Sequence, residues 1–192
     1  ERVREALRKA LALGAGRAVH LRHDAFAGGD ALATGRALAS AIRREECDLV
    51  ITGSQSDDNG FGATGTVVAG LLAWPHAWLV MGVEVEDGGH TLKVTREMES
   101  GLSEVFRLSL PAVLEVQAGL NHPRYASLKG IMAAKKKEVR KVSAQAGAAP
   151  RQRIVNLYVP QKQKQTEMIG GSAADAAKTL VRKLREDARV LS

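Results

Sequence analysis

A chain of 192 residues, 45% apolar and 26% charged, has the length and balance of one globular domain with an appendage rather than of two full domains. No run reaches the roughly 18 consecutive apolar residues of a membrane span. Glu1-Arg2-Val3-Arg4-Glu5 lacks the basic-then-apolar order of a signal peptide, and the single Cys47 demands no oxidising compartment, so a soluble intracellular protein is expected. The net charge of +7 is uneven: residues 1–123 hold 12 Lys and Arg against 16 Asp and Glu, whereas residues 124–192 hold 16 against 5. Such a basic tail attracts nucleic acid or an acidic protein surface, and charge alone does not choose between them.

In chain order, Val3, Leu7, Ala10 and Leu11 share one face at helical spacing, and Gly14 and Gly16 end that helix. Residues 18–21 form a short apolar run, read as a buried strand. Asp30 can cap a second helix in which Gly35, Leu38, Ala39 and Ile42 recur on one side. Residues 48–52 have the character of a central parallel strand. Strand, helix and strand at this spacing predict a βαβ unit and a parallel sheet. Two parallel strands make too small a sheet, so further strands are expected upstream of residue 1. Residues 78–85 and 90–97, with the turn Asp87-Gly88-Gly89, read as a hairpin. Strands over 104–109 and 112–116 follow, giving the parallel sheet an antiparallel extension. Beyond Asn121 the periodicity fades into a short amphipathic turn at 131–134 and the basic run 135–141. Residues 143–152 read as linker and 154–159 as an isolated strand. A final helix starts at Ser172, where Asp175 completes a capping box and Ala173, Ala177, Leu180, Val181 and Leu184 share a face. That tail cannot bury its own apolar surface and is expected to lie on another chain.

The segment after the 48–52 strand carries the most chemistry. It runs Gly53-Ser54-Gln55-Ser56-Asp57-Asp58-Asn59-Gly60-Phe61-Gly62-Ala63-Thr64-Gly65 and enters an apolar helix. Ligands of parallel α/β sheets bind beyond the carboxyl ends of the strands. Free amides and the positive end of the helix dipole would meet a phosphate there. Gly62 and Gly65 would permit close approach, and Asp58 could accept from ribose hydroxyls. An ordinary strand-turn-helix crossover also favours these residue types, and neither a Walker A ending nor GxGxxG is present.

Three blocks in order resemble the beta subunit of electron-transfer flavoproteins over residues 1–142: the loop with Asp58, Thr64-Gly65 and Leu71-Leu72-Ala73-Trp74-Pro75; Val94-Thr95-Arg96-Glu97-Met98-Glu99-Ser100-Gly101-Leu102 with Leu108-Ser109-Leu110-Pro111-Ala112-Val113; and Asn121-His122-Pro123-Arg124-Tyr125-Ala126-Ser127-Leu128-Lys129-Gly130-Ile131-Met132, leading into Lys135-Lys136-Lys137. The family carries roughly sixty further residues ahead of the point matching residue 1. The resemblance implies an α/β fold of the adenine nucleotide alpha hydrolase (Rossmann-like) kind. It divides the chain into a nucleotide-binding domain, 1–142, with a partner-recognition loop at 121–137, and a linker with a C-terminal arm, 143–192, that wraps an alpha subunit.

It further implies a structural AMP held by Gly53, Gln55, Asp58, Gly62, Ala63, Thr64 and Gly65, beside an FAD held mainly by the alpha subunit. Gly62 stands where the family commonly has Asn, leaving the phosphate to backbone amides. Leu128 matches the residue that enters an apolar pocket on acyl-CoA dehydrogenases, with Tyr125, Ile131, Met132, Lys135 and Lys136 beside it. From the residues alone, Leu128 would sooner pack beneath its own loop, and it is the resemblance that favours an exposed anchor. Glu97 matches an acidic residue that pairs with an Arg of the alpha subunit, and residues 118–121 should approach the flavin. Electrons would pass from flavin dehydrogenases to a flavoprotein-quinone oxidoreductase, and the chain itself would carry no catalytic residues. Neither nucleic acid nor a membrane is expected as partner. The Ala- and Arg-heavy composition favours a bacterial cytoplasm over a mitochondrial matrix. Competing readings are a universal-stress-type nucleotide module, an RNA binder with few aromatics (4%) for base stacking, and a bifurcating subunit with a second FAD. The five histidines lack metal-ligand spacing and read as structural or solvated, and Trp74 and Trp78 as packing residues.

Overall fold

The computed structural model describes residues 2–26, 28–143, 150–160 and 166–191. The chain divides into two compact units, Glu1–Ile154 and Val155–Ser192. The first is α/β. Its helices are α1 (Arg2–Ala12), α2 (Ala31–Ile42), α3 (Thr64–Leu72) and α4 (Leu128–Lys136). Its strands are β1 (Ala18–Arg22), β2 (Leu49–Gly53), β3 (His76–Glu86), β4 (Thr91–Glu97), β5 (Ser103–Ser109), β6 (Ala112–Val116) and β7 (Val139–Ser143).

A five-stranded sheet runs in the order β2-β6-β3-β4-β5. β2, β6 and β3 are parallel, while β3-β4 and β4-β5 are antiparallel. The antiparallel extension read from the sequence is therefore present. Period-two alternation divides it: Leu92 and Val94 face the core opposite Leu108 and Phe106, while Lys93 pairs with Glu84 and Arg107 with Glu86 on the other face. On one side of the parallel strands, Val113 of β6 packs with Ala39, Val68, Ala69 and Leu72, sealed by Leu38, Ile42, Val50 and Trp74.

β1 does not join this sheet. It pairs in parallel with β7, Ala18 opposite Val139 and Arg22 opposite Ser143. The βαβ unit expected across residues 18–52 is thus corrected: its two strands are not hydrogen-bonded neighbours. The partner β1 does take, β7, is hidden from a composition-based reading because its apolar positions, Val139 and Val142, lie among Arg140 and Lys141. α1 and α4 cover this pair, burying Leu11, Ala18 and Ala134 against Leu7 and Val139.

Most of the expected linker, residues 144–149, lies outside the described residues. Its last part is ordered by the amides of Arg151 and Gln152, both donated to Asp30.

In the second unit, α5 (Ala173–Glu186) begins at Ser172, whose hydroxyl accepts from the Asp175 amide and donates to its carboxylate. The strand expected over 154–159 is absent. No ladder pairs with it among the described residues, and β-forming residues without a neighbouring strand have nothing to pack against. Val155, Leu157, Tyr158 and Val159 are consequently exposed, as are Leu180 and Val181 on α5.

Candidate functional site

β2 and β6 end together, with Gly53 opposite Val116. Ser54 fastens the chain leaving β2 to the neighbouring strand, because its amide and hydroxyl both donate to the Val116 carbonyl, at 3.2 and 3.1 Å. The loop then folds on itself. The Gly60 amide donates to Ser56 O, the Asn59 amide to Asp58 Oδ1 at 2.7 Å, and the Gln55 side-chain amide to Gly60 O at 3.1 Å. Gly62 lies over Gln55 with φ +55°, a left-handed conformation that glycine adopts without strain. Asp58 is exposed, and hydrogen bonds from Ser56 and then from the Asn59 amide hold its carboxyl below the ordinary carboxylate range.

α3 starts at Thr64 behind an N-cap, Ala63, that offers no side-chain acceptor. The first amides of any helix have no intrahelical partner, so the first turn, residues 64–66, points its donors toward the space beyond the strands. Beneath this turn lies a feature that the sequence did not announce. Glu115 of β6, only 2% exposed, accepts from the Thr66 hydroxyl at 2.6 Å and lies 2.8 Å from His76 Nε2, the donor to a carboxylate oxygen. One buried carboxylate thereby joins α3, β6 and β3. The hydroxyl engaged is that of Thr66, a residue the sequence reading did not single out. His76 is the first residue of β3.

Gly65 belongs to this packing. A Cβ there would lie 2.4 Å from both Glu115 Cγ and Thr52 Oγ1, so its hydrogen lets the helix meet the strands. A cleft of about 380 Å³ opens above, lined by Ser54, Gln55, Gly62, Thr66, His76, Trp78, Leu79 and Glu115. Gln55, Gly62, Ala63, Thr64 and Gly65 are thus gathered at one helix start, Gly53 ends the strand feeding it, and Asp58 stands at the loop's outer turn.

The second group of predicted residues lies elsewhere in the first unit. Ser127 caps α4 by accepting from the Gly130 amide at 3.1 Å. α4 crosses the end of α1 so closely that a Cβ on Gly130 would lie 2.4 Å from Ala12 O. Arg124 donates to Leu13 O, and Lys137 to Leu11 O and Ala15 O. On this pinned frame Leu128 is 83% and Tyr125 99% exposed. Leu128 is therefore not packed beneath its loop. Met132 is exposed, Ile131 is nearly half-exposed, and Lys135 and Lys136 close the last turn of α4. Glu97, at the end of β4, accepts from the Gln117 side-chain amide at 3.3 Å. Near it, the Arg96 guanidinium bonds Glu104 and lies 5.5 Å from the half-exposed Trp78 ring. Trp74, by contrast, packs on the α2–α3 core.

The described helices include none long and apolar enough to cross a membrane. Parallel strands, a loop beyond their carboxyl ends and a flanking helix start define an α/β protein of Rossmann-like class. Comparison with known proteins narrows this. Residues 1–146 match the electron transfer flavoprotein domain. The chain is 39% identical over 195 residues to the electron transfer flavoprotein subunit beta of Methylophilus methylotrophus, spanning 97% of this chain and 74% of that protein. It is 37% identical over 188 residues to the subunit beta of Sus scrofa, spanning 97% and 72%. To the subunit beta of Mycobacterium bovis it is 46% identical over 142 residues, spanning 72% and 52%. The chain belongs to the electron transfer flavoprotein family, a family of electron-transport proteins, and resembles its beta subunits.

Proposed function

We propose that this chain is the beta subunit of a heterodimeric electron-transfer flavoprotein that holds AMP in the loop between β2 and α3. In this reading it supports an FAD bound mainly by an alpha subunit and acts as a carrier subunit rather than an enzyme. The observation that carries the nucleotide assignment is the uncapped start of α3 beside the ends of β2 and β6. Amides of residues 64–66 and the dipole end suit a phosphate, and the side-chain-free Gly62 leaves the approach open. Gly53, Gln55, Ala63 and Asp58 would border the nucleotide, with Gly65 serving the packing underneath.

The partner assignment is supported by apolar exposure on a rigid frame. An exposed Leu128 that becomes fully buried at an interface contributes about 1.5–3 kcal/mol, enough to anchor a transient contact yet permit rapid release. Lys135 and Lys136 would steer an acidic partner, here acyl-CoA dehydrogenases and other flavin dehydrogenases. Glu97, beside the cationic Arg96, would face the alpha subunit. The flavin, when bound, accepts electrons from these dehydrogenases and delivers them to a flavoprotein-quinone oxidoreductase. A bacterial cytoplasm, or a mitochondrial matrix in a eukaryote, suits these partners.

The test is electron transfer itself. The purified heterodimer mixed with an acyl-CoA dehydrogenase and its substrate should show reduction of the flavin. A flavin that stays oxidised in this mixture contradicts the reading. The Thr64 hydroxyl would join the amides of residues 64–66 at the phosphate, so Thr64→Val should lower the AMP recovered per dimer, and full recovery would contradict that role for Thr64.

A further inference from the structure

Asp30 uses its two carboxylate oxygens for different purposes. Oδ1 accepts from the Ala33 amide at 2.8 Å and caps α2. Oδ2 accepts from the Arg151 amide at 2.7 Å and the Gln152 amide at 3.2 Å, partners more than a hundred residues along the chain. The residue is 6% exposed, so these bonds are sheltered from water. A helix cap needs one acceptor only, which leaves the second oxygen and its two donors unexplained by capping. Arg151 and Gln152 lie just ahead of Ile154, where the first unit ends and the C-terminal unit begins.

We infer that Asp30 is a positioning residue, a carboxylate latch that fastens the root of the C-terminal segment to the start of α2. It thereby fixes the point from which that segment sets out toward its partner. The reference to a partner rests on the proposed function; the latch does not. Charge-assisted bonds from backbone amides are stronger than neutral ones, and the carboxylate sits where the α2 dipole favours negative charge. The Ala33 amide most, then the Arg151 amide, hold the Asp30 carboxyl below the ordinary carboxylate range against the opposing effect of burial. Because the donors are main-chain groups, the latch is indifferent to the side chains at 151 and 152.

Asp30→Asn separates cap from latch. Asparagine caps helices as well as aspartate does, but its NH2 group would face two amide donors. In hydrogen exchange on the intact protein, the Arg151 and Gln152 amides should exchange at least about tenfold faster while α2 keeps its protection. Asp30→Ser, which caps but offers no second acceptor, should behave alike, and Arg151→Ala should match the unaltered protein. Unchanged exchange at 151 and 152 in both Asp30 variants overturns the latch. So does a loss of α2 protection equal to that at 151 and 152, because the effect would then belong to the helix. If the latch opens as expected but co-assembly with the alpha subunit keeps its affinity, the partner half of the inference is overturned and the latch stands.

Discussion

The starts of α3 and α4 differ in what each leaves unsatisfied. At α4, the Ser127 hydroxyl caps the Gly130 amide and an apolar side chain, Leu128, is left in solvent. At α3, Gly65 packs against Glu115, the Thr66 hydroxyl is bonded to the same carboxylate, and the N-cap Ala63 leaves the backbone donors without a side-chain cap. Open amides attract a small anion, whereas an open leucine on a fixed frame attracts a pocket in another protein. One helix start is thus suited to holding a ligand, and the other to being held.

Substitutions can break this contrast, and the largest effect is expected at Gly65. Gly65→Ala would drive a methyl group into Glu115 and Thr52. Overpacking of this kind costs about 1–3 kcal/mol or more, visible as a lower denaturant midpoint, and nucleotide should be lost with it. Next comes Glu115→Ala, which leaves the Thr66 hydroxyl and His76 without their shared acceptor. A hydrogen bond to a buried charge is worth about 1.5–3 kcal/mol, so a comparable loss is expected. Glu115→Gln, which keeps the acceptor oxygen, should recover much of it. If Ala and Gln variants unfold alike, the carboxylate does not organise α3 in this way.

Leu128→Ala sharpens the other half. Stability should change by no more than about 0.5 kcal/mol, as for an exposed site, while reduction by an acyl-CoA dehydrogenase slows roughly tenfold or more from the lost burial. An unchanged rate removes Leu128 as anchor. The smallest effect concerns pH. Asp58 has its carboxyl pulled down by Ser56 and the Asn59 amide, so its contribution is complete above the ordinary carboxylate range and is lost as pH falls through the lowered folded-state value. The Asn59 amide resonance should titrate at that lower pH, with little change in overall stability because the group is exposed.

Much of this was legible in the residues, and the exceptions have physical causes. The loop after β2 announces itself by small and polar residues between two apolar periods, and the β3-β4 hairpin by its Asp-Gly-Gly turn. Asp30 and Ser172 cap helices where their spacing says they should. β7 was not legible, because Val139 and Val142 stand three residues apart with Arg140 and Lys141 between them, which looks like a solvated run rather than an alternating strand, and the partner that β1 finds there was missed with it. Nor was Glu115. Reading residues 112–116 as an apolar strand says nothing of a carboxylate whose hydrogen-bond partners are Thr66 and His76, far away in sequence. The exposure of Leu128 depends on how α4 lies across α1, a packing decision fixed by Gly130 against Ala12 and invisible along the chain. Asp30 shows the limit in another form: its cap follows from neighbours in sequence, its latch from amides that any residue could supply.

What the start of α3 holds decides the proposed function. Denaturing the purified heterodimer and weighing the released small molecules by mass spectrometry tests this directly. One AMP and one FAD per dimer is the predicted result; a dimer that releases flavin but no adenylate, or two flavins, contradicts it.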